Sequence, residues 1–152
     1  KFMDIQLATT KYAEYIAKMS RDYIEAGLGW SWNEAKVIDA IRASETIVVV
    51  SKKGYVLSGF SIMHFKESAA HLCLLAVKPK YRRMGIGKAL ITWLEESAKT
   101  AGTFYLSLEV RKNNNTAQQF YKDLGYQQEQ IIEGHYQKKE AAVKMSKDIN
   151  VI

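Results

Sequence analysis

The sequence predicts an α/β fold, a mixed sheet flanked by helices in the order β-α-α-β-β-β-α-β-α-β-β. Apolar runs of strand length alternate along the chain with segments of helical periodicity, which favours this class. The 152 residues are 47% hydrophobic, which suits one well-buried core and is too little for two ordinary domains. The only proline is Pro79 and no segment is low in complexity, so residues 1–152 are expected to form a single domain.

A short strand and two helices are predicted at the amino end. Residues 3–8 alternate weakly between apolar and polar, as a strand does. A helix is expected from Thr10, a good N-cap residue, to Gly27. Its apolar stripe consists of Tyr12, Ile16, Met19, Tyr23 and Ile24. Ser31 or Asn33 is expected to cap a second helix. The stripe of that helix consists of Ala35, Val37, Ile38 and Ile41.

The middle of the chain predicts a hairpin, a buried strand and a long helix. Two β-branched and aromatic runs within residues 46–65 flank Lys53-Gly54, which indicates a hairpin. Residues 71–77 are almost continuously apolar, which is typical of a strand covered on both faces. A helical stripe then runs from Gly85 to Gly102.

The carboxyl end predicts three further strands and one helix. Residues 104–110 read as a strand, and residues 115–125 read as a short helix stopped by Gly125. Strands at about 126–133 and 140–149 complete the predicted sheet.

Composition argues against several kinds of site and partner. Cys73 is the only cysteine, and with three scattered histidines it leaves no cluster at metal-ligand spacing, so no metal site is expected. No apolar run approaches the roughly 20 residues that cross a bilayer, and the amino end lacks the order of a secretory signal. We therefore expect a soluble, cytoplasmic protein with no membrane partner. The net charge of +6 suits an anionic ligand, but the basic residues are spread along the chain, so no nucleic acid partner is expected.

A basic turn, YRRMGIG at residues 81–87, stands between the fourth predicted strand and the third helix. This arrangement presents backbone N–H groups and the positive end of the helix dipole to an anion. Gly85 and Gly87 lack a Cβ, so a phosphate can approach the backbone, and Arg82 and Arg83 can add charge-assisted contacts. The turn therefore predicts a diphosphate ligand, with tight packing of the two glycines as the alternative.

Two common diphosphate motifs do not fit this turn. A P-loop needs glycine at the position of Arg82 and serine or threonine at the position of Ala89. A dinucleotide-binding fingerprint needs a third glycine where Leu90 stands. The first motif is therefore excluded and the second is disfavoured.

Two longer segments carry a family resemblance. LLAVKPKYRRMGIGKALITWLEESA, at residues 74–98, resembles the acyl-CoA-binding segment of the GNAT superfamily of N-acetyltransferases, whose turn reads R/Q-x-x-G-x-G/A. LEVRKNNNTAQQFYKDLGY, at residues 108–126, resembles the downstream segment of that superfamily and, within it, the ribosomal-protein-alanine N-acetyltransferases. The resemblance covers about residues 46–147. It implies a GNAT-like fold with a splayed central strand pair and acetyl-CoA as the cofactor.

The resemblance also implies where coenzyme A would bind. The backbone of Leu75, Ala76 and Val77 would pair with the pantetheine arm, and the Leu75 N–H is a candidate to hold the thioester oxygen as it becomes an oxyanion. A plain core strand is the other interpretation of these residues. The diphosphate would lie against the turn and the start of the third helix. The candidate contacts there are Arg82, Arg83, Met84, Gly85, Ile86, Gly87 and Lys88.

Glu109 and Tyr121 are the candidate catalytic residues. Glu109 falls on the more polar face of its strand, where partial burial would raise its pKa toward the range useful for a base. The resemblance implies that Glu109 is the base, that Tyr121 binds the cofactor and protonates the thiolate, and that Asn114 contacts the cofactor. Other interpretations stay open: Glu109 paired with a cation such as Arg111, Tyr121 as a core residue and Asn114 as an N-cap.

The acceptor site is expected where this superfamily sets its specificity, in the loop between the first two helices and in the carboxyl-terminal hairpin. The residues concerned are Trp30 and Trp32 in the loop and Tyr136 in the hairpin. Core packing is the competing role for both tryptophans. The hairpin is shorter than in the ribosomal-protein enzymes and lacks their acidic residues, which argues against a ribosomal-protein terminus as the acceptor.

His71 is a further candidate for the acceptor site. Alternation predicts that it shares a strand face with Cys73, Leu75 and Val77. It could assist as a base or line the acceptor site, and the simpler role is a satisfied histidine at a strand end.

The function expected from the resemblance is acetyl transfer by direct attack of a primary amine on acetyl-CoA. The amine could belong to a protein amino terminus, a lysine or a small molecule. The alternative is a catalytically silent acyl-CoA-binding module that senses or scaffolds. Both a monomer and a homodimer are compatible with the sequence.

Overall fold

The computed structural model describes residues 4–136 and 140–149 and confirms the predicted order of elements. The strands are β1 (Asp4–Leu7), β2 (Thr46–Lys53), β3 (Val56–Lys66), β4 (Ala69–Val77), β5 (Tyr105–Arg111), β6 (Gln127–Tyr136) and β7 (Glu140–Asp148). The helices are α1 (Ala13–Met19), α2 (Glu34–Arg42), α3 (Ile86–Thr100) and α4 (Asn115–Asp123).

The first predicted helix is shorter than its pattern and is built in three parts. A 3₁₀ turn at Thr10–Tyr12 leads into α1, and a π turn at Ser20–Ile24 follows. The wider turn closes with the N–H of Glu25 bonded to the carbonyl of Ser20 at 2.7 Å. The helical backbone ends at Ile24, so the prediction that this helix reaches Gly27 was wrong. The π turn widens the helix before it ends, and Glu25, the next residue, is buried.

The seven strands form one sheet in the order β1-β2-β3-β4-β5-β7-β6. Only β4 and β5 run parallel, and every other neighbouring pair in this sheet is antiparallel. Helices cover both faces, since one buried cluster joins α1 and α2 to the sheet and a second joins α3 and α4 to it. The central strands are apolar throughout because both of their faces are covered.

The predicted splay is present between β4 and β5. Their pairing runs from Ala69 opposite Tyr105 to Leu72 opposite Leu108. β4 then continues to Val77 and β5 to Arg111 without further pairs in the ladder, so the two strands part at Leu72 and Leu108.

A bulge in β4 lies at the same level. Ile62 of β3 stands opposite Leu74, while its neighbour Met63 stands opposite Leu72, so Cys73 is the extra residue. The prediction that His71, Cys73, Leu75 and Val77 share one face was therefore wrong. Cys73 packs with the α1–α2 layer as Leu74 does, whereas Leu75 and Val77 pack with the α3–α4 layer.

Residues 4–136 and 140–149 contain neither a membrane-spanning helix nor a cluster of metal ligands. None of the helices there combines the length and the apolar content needed to cross a membrane. No group of three or more His, Cys, Asp or Glu side chains in these ranges is placed to hold a metal ion.

Close contact between α3 and β3 depends on Gly59. A Cβ at this position would lie 3.0 Å from the Ala76 carbonyl oxygen and 3.3 Å from both Ile86 Cγ2 and Leu90 Cδ1. We expect Gly59→Ala to lower the free energy of unfolding by about 1–3 kcal/mol, the usual effect of overpacking a core. Urea denaturation measures this change, and an unaltered midpoint would show that the layers are not in close contact here.

Candidate active site

The parted strands enclose a cavity of about 200 Å³. Its walls come from β4, β5, the first turns of α4 and the connector that follows α1. The lining residues are Tyr23, Ile24, Ala26, Leu72, Cys73, Leu74, Leu75, Leu108, Glu109, Val110, Arg111, Asn114, Ala117 and Tyr121. One cavity therefore brings together four residues that the sequence analysis identified separately: Leu75, Glu109, Asn114 and Tyr121.

Glu109 reaches this cavity from the polar face of β5. The apolar neighbours Leu108 and Val110 enter the core under α3 and α4, so alternation turns Glu109 to the other face. Its side chain is 20% exposed, and its Oε1 lies 3.0 Å from the Nε2 of His71. The Nδ1 of His71 in turn lies 3.0 Å from the hydroxyl oxygen of Ser107. A carboxylate, an imidazole and a hydroxyl therefore stand in a bonded chain beside the cavity.

Tyr121 enters the cavity from α4 and is also part of the core. The residue is 8% exposed, and its ring packs edge-on against Phe120 and Tyr126, with centroids 5.0 Å and 5.8 Å away. The core interpretation therefore holds for the ring and does not exclude the acid role, since the residue also lines the cavity.

Asn114 is the N-cap of α4. Its Oδ1 accepts a hydrogen bond from the N–H of Ala117 at 3.0 Å, and the helix begins at Asn115. The capping interpretation is thus confirmed for Asn114, which stands at the cavity wall as well.

The turn before α3 has the backbone shape that an anion site needs. Gly85 is the N-cap residue with φ of +81°, and no side chain caps the helix. The first N–H groups of α3, at Ile86, Gly87 and Lys88, cannot bond within the helix and point past its end. Arg83 also has a positive φ, of +62°, which is uncommon for a residue with a side chain.

Gly87 has a packing role in this turn. A Cβ there would lie 3.2 Å from Phe120 Cζ and 3.9 Å from Val77 Cγ2, so its missing side chain lets α3 approach α4. Arg82 also has protein partners, because its Nε donates to the Val77 carbonyl at 2.9 Å and its guanidinium lies 5.8 Å from the Tyr23 ring. Met84, Arg83 and Lys88 are exposed.

The free edge of β4 faces the gap. The carbonyl of Leu74 accepts a bond from Ser61 of β3, and the N–H of Lys78 donates to Ser58 of β3. Because successive residues of a strand point their backbone groups to opposite edges, the N–H groups of Leu75 and Val77 face away from β3, toward β5.

The connector between α1 and α2 is organised by a buried carboxylate. Glu25 is 6% exposed and accepts bonds from the N–H and hydroxyl of Ser31, the hydroxyl of Ser20 and the N–H of Trp32. Burial raises the pKa of Glu25, but these hydrogen bonds together outweigh it and hold the pKa below its usual value.

Hydrogen bonds from Arg111 also join the connector to β5. The Nη2 of Arg111 donates to the carbonyl oxygens of Ile24 and Ala26, at 2.8 Å in each case. The connector therefore lies over the parted strands because a cation at the end of β5 binds its backbone.

The predicted acceptor residues are placed less centrally. The Trp30 indole donates to the carbonyls of Ala17 and Trp32, and Trp32 packs on the α1–α2 core with Lys36 4.3 Å from its ring. Neither tryptophan lines the cavity. Tyr136 ends β6, and its side chain lies outside the part of the chain that the structure describes.

Cys73 also lines the cavity, and burial raises the pKa of its thiol to about 11. The neutral thiol is therefore the form present near neutral pH.

Sequence reasoning missed three residues of this site: Glu25, Arg111 as a connector ligand, and Ser107. A Glu followed by small polar residues in a loop is too common a pattern to identify a buried carboxylate. Ser107 had a weak signal, since it precedes Glu109 by two positions on the same strand face.

Comparison with known proteins agrees with this geometry. Residues 10–126 match the family model of the acetyltransferase (GNAT) family. The catalytic subunit naa20 of the N-terminal acetyltransferase B complex of Schizosaccharomyces pombe is 34% identical over 83 residues, which are 55% of this chain and 46% of that protein. The [ribosomal protein bS18]-alanine N-acetyltransferase of Escherichia coli K12 is 34% identical over 80 residues, 53% of this chain and 54% of that protein. The chain thus matches about half the length of these curated relatives.

Among solved structures, Arabidopsis thaliana NAA60 in complex with acetyl-CoA superimposes with a TM-score of 0.86. The alignment covers 99% of this chain and all of that one at 16% identity. At this identity the likeness concerns the fold.

The buried carboxylate of the connector makes stability depend on pH. A lowered pKa means that Glu25 stabilises the fold above its ordinary pKa of about 4.3, and that this contribution is lost as pH falls through the lowered value. We expect Glu25→Gln to lower the free energy of unfolding at pH 7 by about 1–3 kcal/mol, because buried donors lose their acceptor.

Denaturation of both proteins from pH 7 to pH 3 measures this effect. The difference between wild type and Glu25→Gln should shrink toward the acid end. A difference that stays constant over this range would show that the charge of Glu25 does not stabilise the connector. Glu14→Gln is the matched control, since the carboxylate of Glu14 is exposed in its pair with Lys18.

Proposed function

Because this chain belongs to the GNAT acetyltransferase family, we propose that it transfers the acetyl group of acetyl-CoA to a primary amine. The observation that carries the proposal is the parting of β4 and β5, where Glu109 and Tyr121 converge on one cavity from different elements. A sheet whose strands are all paired would have no such gap. The pantetheine arm of acetyl-CoA, lying along β4, would supply hydrogen-bond partners for the backbone groups of β4 that do not pair with β5.

The residues present fit acetyl-CoA. The N–H groups of Leu75 and Val77 face the gap, and the uncapped first turn of α3 offers N–H donors beside exposed basic side chains. In our proposal the turn from Arg82 to Lys88 holds the diphosphate, and the strand edge holds the pantetheine arm. Asn114 borders the same space from α4.

Acetyl-CoA supplies an activated acetyl group with a thiolate as its leaving group. The chain must then accept a proton from the incoming ammonium, stabilise charge on the carbonyl oxygen and return a proton to sulfur. We assign the first task to Glu109, the second to the N–H of Leu75 and the third to Tyr121. Glu109 lines the cavity from β5 and Tyr121 lines it from α4, which suits a base and an acid that act on different atoms.

The acceptor approaches from the side of the connector in this proposal. Tyr23, Ile24 and Ala26 line that side of the cavity, and Arg111 donates to the carbonyl oxygens of Ile24 and Ala26. The names of the two curated relatives favour a protein amino terminus, and a lysine or a small amine remains compatible with the site. Trp30, Trp32 and Tyr136 remain proposed contacts for a longer acceptor that extends beyond the cavity.

We expect isothermal calorimetry with coenzyme A to show stoichiometric binding, and incubation with acetyl-CoA and a panel of peptides and polyamines to release free thiol. Binding without thiol release from any acceptor would favour a catalytically silent acyl-CoA-binding module. The absence of heat and of any thermal shift with coenzyme A would overturn the proposal.

We expect Glu109→Gln and Tyr121→Phe each to lower turnover by ~10² or more, the usual effect of losing an acid or base. Affinity for coenzyme A should stay close to wild type, because neither substitution alters the turn before α3. Steady-state kinetics and calorimetry on the same preparations separate these two effects.

Two matched variants serve as controls for these substitutions. Tyr126→Phe removes a buried hydroxyl that donates to Glu95, and Glu129→Gln alters an exposed carboxylate on β6. Turnover per folded molecule should be unchanged in both. Full activity in Glu109→Gln and Tyr121→Phe would remove the two catalytic assignments without affecting cofactor binding.

A further inference from the structure

Basic side chains collect at one end of the sheet, around the turn that precedes α3. Residues 78–88 contain five Lys and Arg residues and neither Asp nor Glu, and the β2–β3 hairpin brings two further lysines to the same end. We call this group the basic end. Its members are Lys52, Lys53, Lys78, Lys80, Arg82, Arg83 and Lys88.

The pairing of β2, β3 and β4 brings these residues together, although the hairpin and the turn are far apart in sequence. The N–H of Lys78, the residue after β4, donates to the carbonyl of Ser58 on β3 at 2.9 Å. Lys52 of β2 stands opposite Leu57, the residue before Ser58. Neighbouring strands lie about 4.8 Å apart, so the backbone at Lys52 is roughly 10 Å from the backbone at Lys78.

The net charge of the protein is concentrated in this group. Seven of the 22 Lys and Arg residues belong to the basic end, and the other 15 are balanced by the 16 Asp and Glu residues. Asp4, opposite Lys52 on β1, offsets part of the local charge. The net charge of +6 therefore describes one end of the molecule rather than its whole surface.

The contacts recorded at the basic end leave its charge in place. Lys52 lies 5.5 Å from the centre of the Tyr12 ring, and Lys80 lies 5.6 Å from the centre of the Tyr81 ring. The ion pairs recorded for lysine and arginine within residues 4–136 and 140–149 all lie elsewhere. They join Lys18 to Glu14, Arg21 to Asp22, Lys99 to Glu96, Lys144 to Glu129 and Lys147 to Glu95.

We propose that the basic end steers acetyl-CoA toward its site, so that lysines outside the cofactor contacts set the rate at which the cofactor binds. The inference rests on the proposed function and adds a kinetic role for residues that it does not use. The proposed diphosphate site extends from Arg82 to Lys88, and both Lys53 and Lys80 are exposed and lie outside it.

The charge of the cofactor makes it a suitable partner for this surface. Acetyl-CoA carries a diphosphate and a 3′-phosphate, which are negative near neutral pH. A surface region of one sign raises the local concentration of a ligand of the opposite sign and can raise its association rate by ~10- to 10³-fold. Because the remaining charges of the protein nearly balance, this attraction is directed to the end of the sheet where α3 begins.

Screening by salt sets the conditions under which steering is measurable. The Debye length is about 8 Å at 0.15 M ionic strength and about 30 Å at 0.01 M. Lys53 lies two strands away from β4, so its charge acts on the approaching phosphates mainly when screening is weak. The contribution of Lys53 should therefore be large at low ionic strength and vanish at high ionic strength.

The first test measures association of etheno-coenzyme A, a fluorescent analogue that keeps all the phosphates of coenzyme A, by stopped-flow anisotropy. In Lys53→Gln/Lys80→Gln, the association rate constant should fall about three- to ten-fold at roughly 10 mM ionic strength and equal that of wild type at about 1 M. The dissociation rate constant should stay within about two-fold, because charges outside a contact act chiefly on association. Lys53→Glu/Lys80→Glu should lower the association rate further.

Lys66→Gln/Lys99→Gln is the matched control, since it removes the same number of charges from exposed lysines at the other end of the molecule. Lys66 ends β3, roughly 30 Å along that strand from the hairpin. Lys99 lies in the last turn of α3, roughly 20 Å from the first residue of the helix. Association should stay close to wild type at low ionic strength. A fall as large as that in Lys53→Gln/Lys80→Gln would show that net charge alone matters, which would overturn directed steering.

A second test removes charge from the ligand. Dephospho-coenzyme A lacks the 3′-phosphate, so its association with wild type should depend less steeply on ionic strength than that of coenzyme A. Competition with etheno-coenzyme A in the same stopped-flow experiment measures both ligands. In Lys53→Gln/Lys80→Gln the difference between the two ligands should become smaller. Equal salt dependence of the two ligands in wild type would contradict the proposal.

The possible failures of steering and of the proposed function are distinguishable. If wild type binds no coenzyme A at any ionic strength, both proposals are overturned. If coenzyme A binds and Lys53→Gln/Lys80→Gln associates at the wild-type rate at low ionic strength, steering is overturned and the proposed acetyl transfer stands. A faster dissociation with unchanged association would show that these lysines contact the bound cofactor, which would also overturn steering.

Discussion

The site depends on the parting of two parallel strands in the middle of an open seven-stranded sheet. Backbone groups buried without partners are costly, so two central strands separate only where other contacts hold them apart. Here the bulge at Cys73 turns Leu75 and Val77 toward the α3–α4 layer, and Tyr121 enters at the opening. Arg111 then binds the connector over the gap. Each of these features lies at the opening between the two strands. The opening would not exist if β4 and β5 stayed paired beyond Leu72 and Leu108.

Several residues serve folding and the proposed site together, so a structural role does not argue against a functional one. Asn114 caps α4 and borders the cavity, and the ring of Tyr121 packs in the core while the residue lines the same space. Gly87 lets α3 approach Phe120, which brings the first turn of α3 beside the end of β4. The same packing that stabilises the fold thus positions the groups assigned to the cofactor.

The order of helices and strands could be predicted from local sequence patterns, because helical and strand periodicities are properties of short segments. The N-cap at Asn114 and the polar face of Glu109 follow from such patterns too. Features set by contacts between distant segments could not be predicted. The bulge at Cys73 reverses the alternation that places His71 with Leu75, and it depends on the register with β3. The bonds from Arg111 to the connector join residues more than 80 positions apart.

Hydrogen bonds from Arg111 link the connector to the strand that carries Glu109, which bears on the proposed acceptor site. Glu25 accepts backbone and side-chain bonds inside the connector, and Arg111 donates to carbonyls on either side of Glu25. The connector, which is the proposed acceptor wall, is therefore held by the buried carboxylate of Glu25 and by the guanidinium of Arg111, two residues after Glu109 on β5. A change in the connector that weakens these bonds would also shift the strand that carries the proposed base. Acceptor specificity and proton transfer are thus expected to change together when this connector is altered.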